Sequence, residues 1–479
     1  MVFLILSSLV FQIMALFLVK NICLHKQSKY SLLNFLRKRQ FNTLKNLDLI
    51  ENNLNPPVCV KGMKVLDKEK FVKNIKLPII EATCENLIDI RKHFIKYLLT
   101  SKEKKILSKS GFSYNGKLLV MNPKYLEPDD NFFATIENFK EKQCFKLKYA
   151  PVQLNYNCWS FQDIVNAIFP ENKNIGSVCM FGHVVLMNLD QCNDSYKYII
   201  GEIMLDKSKS STLVMNKVKV QGKFRIYSFE ILAGNGSTFV SFCLNGIHYE
   251  FDIKKVFWNS KHQREYEILA SKIEENDILF DVMAGVGPYA LHAAKKKKAF
   301  VFANDLNTDA YEYLIGNSLK NNVENLIKCY NYDAEVFIKT IFRNEILQQW
   351  LNKFKKKVHV VMNLPVSAID YVPCFVGVLS NLDYLPSYED FPDITIYVYV
   401  FCPNSNKETA KELLFSRFKK IEHAYWLNDS IEEITIVRTK VHRKSVMRVT
   451  FKLPLSIALN IPDEKQLVNN DENYDKINN

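Results

Sequence analysis

The sequence predicts an α/β chain: a doubly wound, mostly parallel sheet of seven strands over residues 257–456, preceded by two smaller α+β domains at 51–148 and 149–256. Three observations carry this. From about residue 257, short apolar β-prone runs alternate with helix-length segments. The run Ile278-Leu279-Phe280-Asp281-Val282 leads straight into Met283-Ala284-Gly285-Val286-Gly287-Pro288-Tyr289, which is a strand, a tight glycine loop and a helix start. The next β-prone run ends at Asn304-Asp305-Leu306, so an acid stands 24 residues after Asp281.

The elements follow in order. Residues 1–19 form an uncharged apolar run, and the stretch 20–46 holds seven Lys or Arg and no acid. Together they read as a targeting leader or anchor over 1–50: a signal-peptide core or membrane span followed by a transit-like segment. Pro56-Pro57 opens the folded part. A helix is expected over 85–99, with Leu87, Ile88, Ile90, Phe94 and Leu98 on one face. The middle domain should hold a helix over 160–168 and strands over 180–189, 212–220, 225–232 and 238–243, with a turn at Ala233-Gly234-Asn235-Gly236. The seven later strands are expected at 278–282, 299–303, 327–330, 358–362, 394–401, 433–438 and 446–453. The last two lack a long crossover and suggest an antiparallel hairpin at one edge. From 457 the tail is polar and Asn-rich, the composition of a disordered segment.

Composition narrows the function classes. A length of 479 residues exceeds one ordinary core. A net charge of +13 suits a polyanionic partner such as nucleic acid, although the acid-free stretch supplies about half of that excess. The 11 cysteines and nine histidines are scattered with no Cys-x-x-Cys pair, so neither a zinc site nor a disulfide framework is expected, and a reducing compartment is.

In an open α/β sheet, ligands sit at the carboxyl ends of the strands. Those ends supply the Gly285/Gly287 loop, then Asp305 with Leu306, then Asn331-Tyr332-Asp333 with Ala334, then Asn363-Leu364-Pro365. Spacing in the loop alone leaves a nucleotide site and a plain parallel-sheet turn both open. The third glycine of a dinucleotide fingerprint is absent, which favours a nucleoside without phosphates, such as S-adenosylmethionine. Asp305 is placed to accept from ribose hydroxyls and Asp333 from an adenine amino group. These strand-end groups make a methyltransferase the favoured reading. No metal is expected.

Beyond the loop, the chain resembles the eukaryotic and archaeal tRNA (guanine(37)-N(1))-methyltransferase family. The resemblance runs over about 56–456 through ordered blocks. They are Pro57 to Asp67, Leu154 to Trp159, Gly182-His183, Ile200 to Lys207, Asn216-Lys217, Phe224-Arg225 to Gly234, Phe251 to Ser260, Asp281 to Tyr289, Asn304 to Asn307, Tyr330 to Asp333, Met362 to Pro365 and Phe451 to Pro454. It implies a Rossmann-like class I methyltransferase domain that uses S-adenosylmethionine, with guanine-37 tRNA as partner, a monomeric state and no metal. Methylating guanine N1 requires a base for its proton and a cation for charge on O6. The resemblance assigns these roles to Glu265 and Arg225, lines the transfer site with Asn363 and Pro365, and puts Tyr266, Asp281, Gly285, Gly287, Asp305, Leu306, Asp333, Ala334 and Asn363 around the cofactor. His183 has no matching role and reads as a satisfied core histidine.

Departures cluster upstream of the loop. The family's usual Tyr, Arg and His are Phe257, Lys261 and Tyr266 here. Lysine lacks the bidentate fork of arginine. Two rivals follow: the related aminocarboxypropyl transferase of wybutosine synthesis, and a tRNA-binding protein with weakened catalysis. The leader points to the mitochondrial matrix or another organelle, the family to nucleus and cytoplasm as well. Membrane contact is expected only if residues 1–19 are retained.

Overall fold

The computed structural model describes residues 53–461 except 83–86, 114–117, 127–144, 170–174, 190, 260–261, 355, 383–385, 404, 419–426, 428 and 442–443. The expected leader, the polar tail from 462 and Lys261 lie outside the described residues; residues 457–459, expected in the disordered tail, instead complete a short helix, Leu455–Leu459, that buries Ala458 and Leu459. No described helix is long and apolar enough to cross a membrane. The chain forms two compact units divided at 173/174.

The first unit is built on an antiparallel sheet of order β2-β1-β3, from β1 (Lys73–Ala82), β2 (Leu118–Val120) and β3 (Phe145–Leu154). Strand β3 runs through residue 148 without a break, paired to β1 along its whole length. Helix α1 (Leu87–Phe94) buries Ile90 and Phe94, but Ile88 is 72% exposed, because it lies off the stripe that runs through 90 and 94. Helices α2 (Ser101–Lys109) and α3 (Phe161–Ile168) each begin with a capping box, Thr100/Glu103 and Ser160/Asp163.

The second unit opens with β4 (Ser177–Phe181) and β5 (Val184–Asn188). The sequence suggests one strand over 180–189. Instead Gly182 turns the chain at φ +57° into a hairpin, and a Cβ there would lie 2.6 Å from the Ser241 carbonyl. His183 sits at that turn rather than in the core, its Nε2 2.8 Å from the Ser237 carbonyl oxygen. Helix α4 (Lys197–Lys207) crosses to β6 (Leu213–Gln221), which lies parallel to β5 and antiparallel to β7 (Ile226–Gly234). A second hairpin, β8 (Phe239–Leu244) and β9 (Ile247–Asp252), turns at Asn245-Gly246.

Then comes the predicted doubly wound sheet. Its strands are β10 (Ile278–Asp281), β11 (Phe300–Asn304), β12 (Ile327–Tyr330), β13 (Val358–Met362), β14 (Ile394–Pro403), β15 (Ile431–Val441) and β16 (Lys444–Lys452). The order is β12-β11-β10-β13-β14-β16-β15. The first five are parallel, and β16 alone runs antiparallel, wedged between β14 and β15. Order reverses beside β10, which puts the topological switch point, and hence the ligand crevice, at its carboxyl end.

Helices cover both faces. Helix α5 (Gln263–Lys272), α6 (Pro288–Lys297) and α7 (Thr308–Lys320) enclose one core with Leu279, Val301 and Tyr399. Helix α8 (Ala334–Phe337) continues through a π-helical turn into α9 (Arg343–Leu351), and their Phe337, Phe342 and Trp350 pack with Phe280 on the other face. The exposed edge of β9 is closed by two asparagines at the end of α7: Asn317 Oδ1 accepts from Glu250 N–H, and Asn321 exchanges hydrogen bonds with His248 N–H and carbonyl.

Candidate active site

The glycine loop is shaped by two glycines with different duties. Pro288 takes the first position of α6, with Gly287 as its N-cap at φ +94°. A Cβ on Gly287 would come within 2.5 Å of Leu314 Cδ1, so this glycine lets α6 and α7 approach. Gly285, at φ +57°, faces open space: a Cβ added there would meet no atom within 4 Å.

That space is a cavity of about 490 Å³ at the carboxyl ends of β10 to β13. Its floor is Val282 to Gly285, Asp305, Leu306 and Ala334; Asn363 and Pro365 form one side, with Tyr266 and Tyr289 beneath. The lining also includes Lys217, Phe224, Arg225 and Tyr227 of the β6–β7 hairpin, together with Phe257, His262 and Arg438.

Asp305 is tied to the loop it serves. Its Oδ2 accepts from Gly285 N–H at 2.7 Å and its Oδ1 from Asn307 N–H at 2.9 Å. Burial raises its pKa, and these two N–H groups oppose the rise. Each carboxylate oxygen keeps a lone pair for a further donor. Asn304, in sequence no more than a strand end, locks three strand ends together: its Nδ2 donates to the Val282 and Tyr332 carbonyls and its Oδ1 accepts from Tyr332 N–H.

Asp281 is fully buried behind the loop and does not line the cavity. Burial, and secondly the charge of Asp305, push its pKa up to about 8. The N–H groups of Met283 and Ala290 pull the other way, but neither completes a hydrogen bond to the carboxylate, so burial dominates. Asp333 is spent partly on helix geometry: it caps α8, accepting from Glu335 N–H at 2.9 Å, while its neighbours Tyr332 and Ala334 touch the cavity.

Glu265 is neither in the cavity wall nor facing solvent. It is 4% exposed, in the first turn of α5. Its Oε1 accepts from Tyr399 O–H at 2.8 Å and from Arg448 Nη1. Arg448, 2% exposed, also reaches Glu433 at 3.4 Å. Motif spacing does not reveal this network, although an arginine in the apolar run of β16 is a signal for a buried partner.

Arg225 stands one residue before β7, in the left-handed region at φ +57°, in a turn closed by its N–H to the Gly222 carbonyl. This turn, not the strand, presents it to the cavity. Phe257 stacks on Tyr227 with ring centroids 5.5 Å apart, and Lys217 Nζ lies 4.3 Å from the Tyr227 ring centroid. His262, which no motif singles out, is buried; burial, and then the charge of Arg438, lower its pKa to about 4, so it is neutral at physiological pH.

An adenosine-sized cofactor fits this set. The volume lies within the roughly 300–1,000 Å³ usual for ligand clefts. Two buried polar atoms in the wall, Asn363 Oδ1 and Trp258 Nε1, have no hydrogen-bond partner among the described residues, while Asn363 Nδ2 donates to Tyr289 Oη at 3.2 Å. Such atoms mark where a ligand's donors and acceptors are missing. Among the described residues, no cluster of three His, Cys, Asp or Glu side chains could hold a metal ion.

Comparisons with known proteins find relatives of this chain by sequence and by fold. Residues 242–396 match the family model described as TRM5/TYW2 methyltransferase domain, and residues 163–238 match a TYW2 N-terminal domain. A tRNA (guanine(37)-N(1))-methyltransferase of Anopheles gambiae is 31% identical over 85% of this chain and 72% of its own length. One from Pediculus humanus subsp. corporis is 32% identical over 83% and 86%. A solved complex of aTrm5 with tRNALeu shares the fold at 20% identity and a TM-score of 0.53, covering 79% of this chain and 99% of that one.

Proposed function

The chain belongs to the tRNA (guanine(37)-N(1))-methyltransferase family, and on that premise we propose how its residues methylate N1 of guanine 37, beside the anticodon. The observation that carries the proposal is the cavity at the switch point, which Asp305, Asn363 and Arg225 all line. Bound there, S-adenosylmethionine supplies the methyl group. Gly285, Asp305, Leu306, Ala334 and Asn363 hold its nucleoside and methionine, and Asp281 and Gly287 shape the loop from behind. Asp333 offers its free carboxylate oxygen to the adenine amino group. Pro365 stiffens the wall at the transfer site.

The target base leaves its stack to enter the cavity. Arg225 stabilises negative charge growing on O6 as N1 loses its proton. Glu265 is the base. Its Oε1 is taken by Tyr399 and Arg448, which leaves Oε2 for the proton. Because it sits behind the cavity wall, it works after a side-chain shift or through an intervening water. The enzyme acts as a monomer and accepts inosine 37 as a further candidate substrate. Residues 51–148 touch the tRNA body, 149–256 help close over the anticodon stem-loop, and the leader directs the protein to the mitochondrial matrix or another organelle.

The match of 163–238 to a TYW2 N-terminal domain keeps one second reading in play, aminocarboxypropyl transfer from the same cofactor. Guanine-37 tRNA incubated with donor labelled either in the methyl or in the carboxyl carbon separates the two. Methyl label alone on N1 is expected; carboxyl label on the RNA, or no transfer, overturns the proposal.

A further inference from the structure

We propose that Arg438 is a phosphate clamp, holding the phosphodiester next to the nucleotide that enters the cavity. The inference rests on the proposed RNA methylation and deepens it. Arg438 belongs to β15, whose pairing with β16 slips three times; two of the slips flank Arg438, between Ile436 and Arg438 and between Arg438 and Val441. Bulges of this kind re-aim a side chain and concentrate beside active sites. Here they put Arg438 opposite Val446, and both residues line the cavity. The β6–β7 hairpin repeats the device: its strands slip between Lys217 and Val220, and both of those also line the cavity.

Arg225 and Arg438 thus converge on one cavity, and both act electrostatically on Tyr227. Among the described residues, neither pairs with a carboxylate. His262 beside Arg438 is neutral and brings no counter-charge. Two guanidinium groups gathered without an internal anion repel each other, a cost that an arriving anion removes. A guanine in transit offers only partial charge at O6, which one arginine suffices to meet. RNA brings a full negative charge with every nucleotide, in a geometry that matches the planar guanidinium fork.

The test measures methylation kinetics and tRNA binding for Arg438→Gln and Arg438→Lys. For Arg438→Gln, KM for tRNA should rise roughly tenfold with kcat nearly unchanged, and the slope of log K against log salt should fall by about one. Cofactor affinity should stay the same, and the unfolding midpoint of the cofactor-free protein should hold or rise slightly, because the substitution also removes the repulsion between the two arginines. Arg438→Lys, which keeps charge but not the fork, should keep the salt slope and lose part of the affinity; should Arg438→Gln not fold, this variant decides alone. A fall in kcat at constant KM would place Arg438 on the developing charge and overturn the clamp. So would unchanged KM and salt slope, or a lysine variant as weak as glutamine. A wild-type protein that binds tRNA with the Arg438-dependent slope but transfers no methyl group would sink the proposed reaction and leave the clamp standing.

Discussion

Removing either partner of the Glu265–Arg448 pair should cost far more than a surface ion pair, and removing both should cost less than the sum. The side chains are 5% and 2% exposed, and the contact is shared with Tyr399. At hydrogen-bond range with an effective dielectric near 20, the attraction is roughly 4–5 kcal/mol. Arg448→Met leaves a buried carboxylate with one neutral partner, a situation that costs about 3–5 kcal/mol. Glu265→Gln preserves an acceptor for Tyr399 and leaves Glu433, which is half exposed, as the charged partner of Arg448 among the described residues, so about 3 kcal/mol is expected. The double variant has no buried charge without a partner at that point and should recover about 2–4 kcal/mol of the summed loss. Urea unfolding of the cofactor-free protein measures the cycle. Each single variant should also lower the thermal midpoint by about 6–12 °C. A coupling energy below about 0.5 kcal/mol would refute the pairing. The same cycle tests the base: if Glu265 takes the N1 proton, the double variant regains stability and stays inactive. Methyl transfer that returns with stability would reduce Glu265 to a structural residue.

Three further outcomes follow from the loop and its surroundings. Gly287→Ala should lower stability by about 1–3 kcal/mol through the clash with Leu314. Gly285→Ala, whose new methyl meets no atom, should cost only about 1–2 kcal/mol yet weaken cofactor binding disproportionately; thermal melts and equilibrium dialysis compare the two, and equal cofactor losses would contradict the division of duties. Asp305→Asn turns an amide N–H toward either the Gly285 or the Asn307 N–H, so calorimetry should show cofactor affinity down roughly tenfold. Stability against pH should carry opposite signatures. Asp281, raised to about 8 when folded against about 3.9 unfolded, contributes stability that is full in acid and lost as pH rises through 8. His262 and His292, lowered to about 4, contribute stability that is full above about 6.5 and lost as pH falls toward 4. Between about pH 6.5 and 8 the histidines are silent, so stability should decline there, and Asp281→Asn should flatten the decline; an unchanged slope would mean Asp281 is ionised in the folded protein.

The fold is legible where pattern and packing coincide. All seven strands of the doubly wound sheet lie close to the predicted positions: the inner ones, buried on both faces, read as apolar runs, and the edge strands β12 and β15 read as shorter β-prone runs of mixed polarity. The differences have physical causes. Met180 to Leu189 is continuous in hydrophobicity, and only the left-handed Gly182 folds it into a hairpin. Strand β9 lies outside the expected strands, although Asn245-Gly246 between apolar alternations is a strong hairpin signal. Hydrophobicity alone puts Ile88 on the buried face of its helix, where the helical angle already sets it outside the stripe.

The site divides along a different line. Groups carried by backbone geometry at strand ends, Gly285, Asp305, Ala334 and Asn363, can be read from order along the chain, because the topology of the sheet decides where those ends go. Arg438 and His262 reach the site from a strand register and a helix turn, and no local pattern announces them; Arg448 shows locally only as an arginine in an apolar run, which signals a buried partner without naming it. The catalytic assignment of Glu265 belongs to this second kind. The family resemblance points to the residue, but only packing reveals that its carboxylate is engaged by Arg448 and Tyr399. Any role it plays in proton removal must therefore be exercised by its second oxygen, from behind the wall formed by Tyr266 and Tyr289. The departure from the family's usual histidine to Tyr266 bears on that wall. Burial raises the Tyr266 pKa, so it stays a neutral hydroxyl between base and cavity, unable to take the proton itself. A Tyr266→Phe variant that keeps full activity would show that the proton path avoids this residue; a loss in kcat without a change in KM would place the hydroxyl on the path.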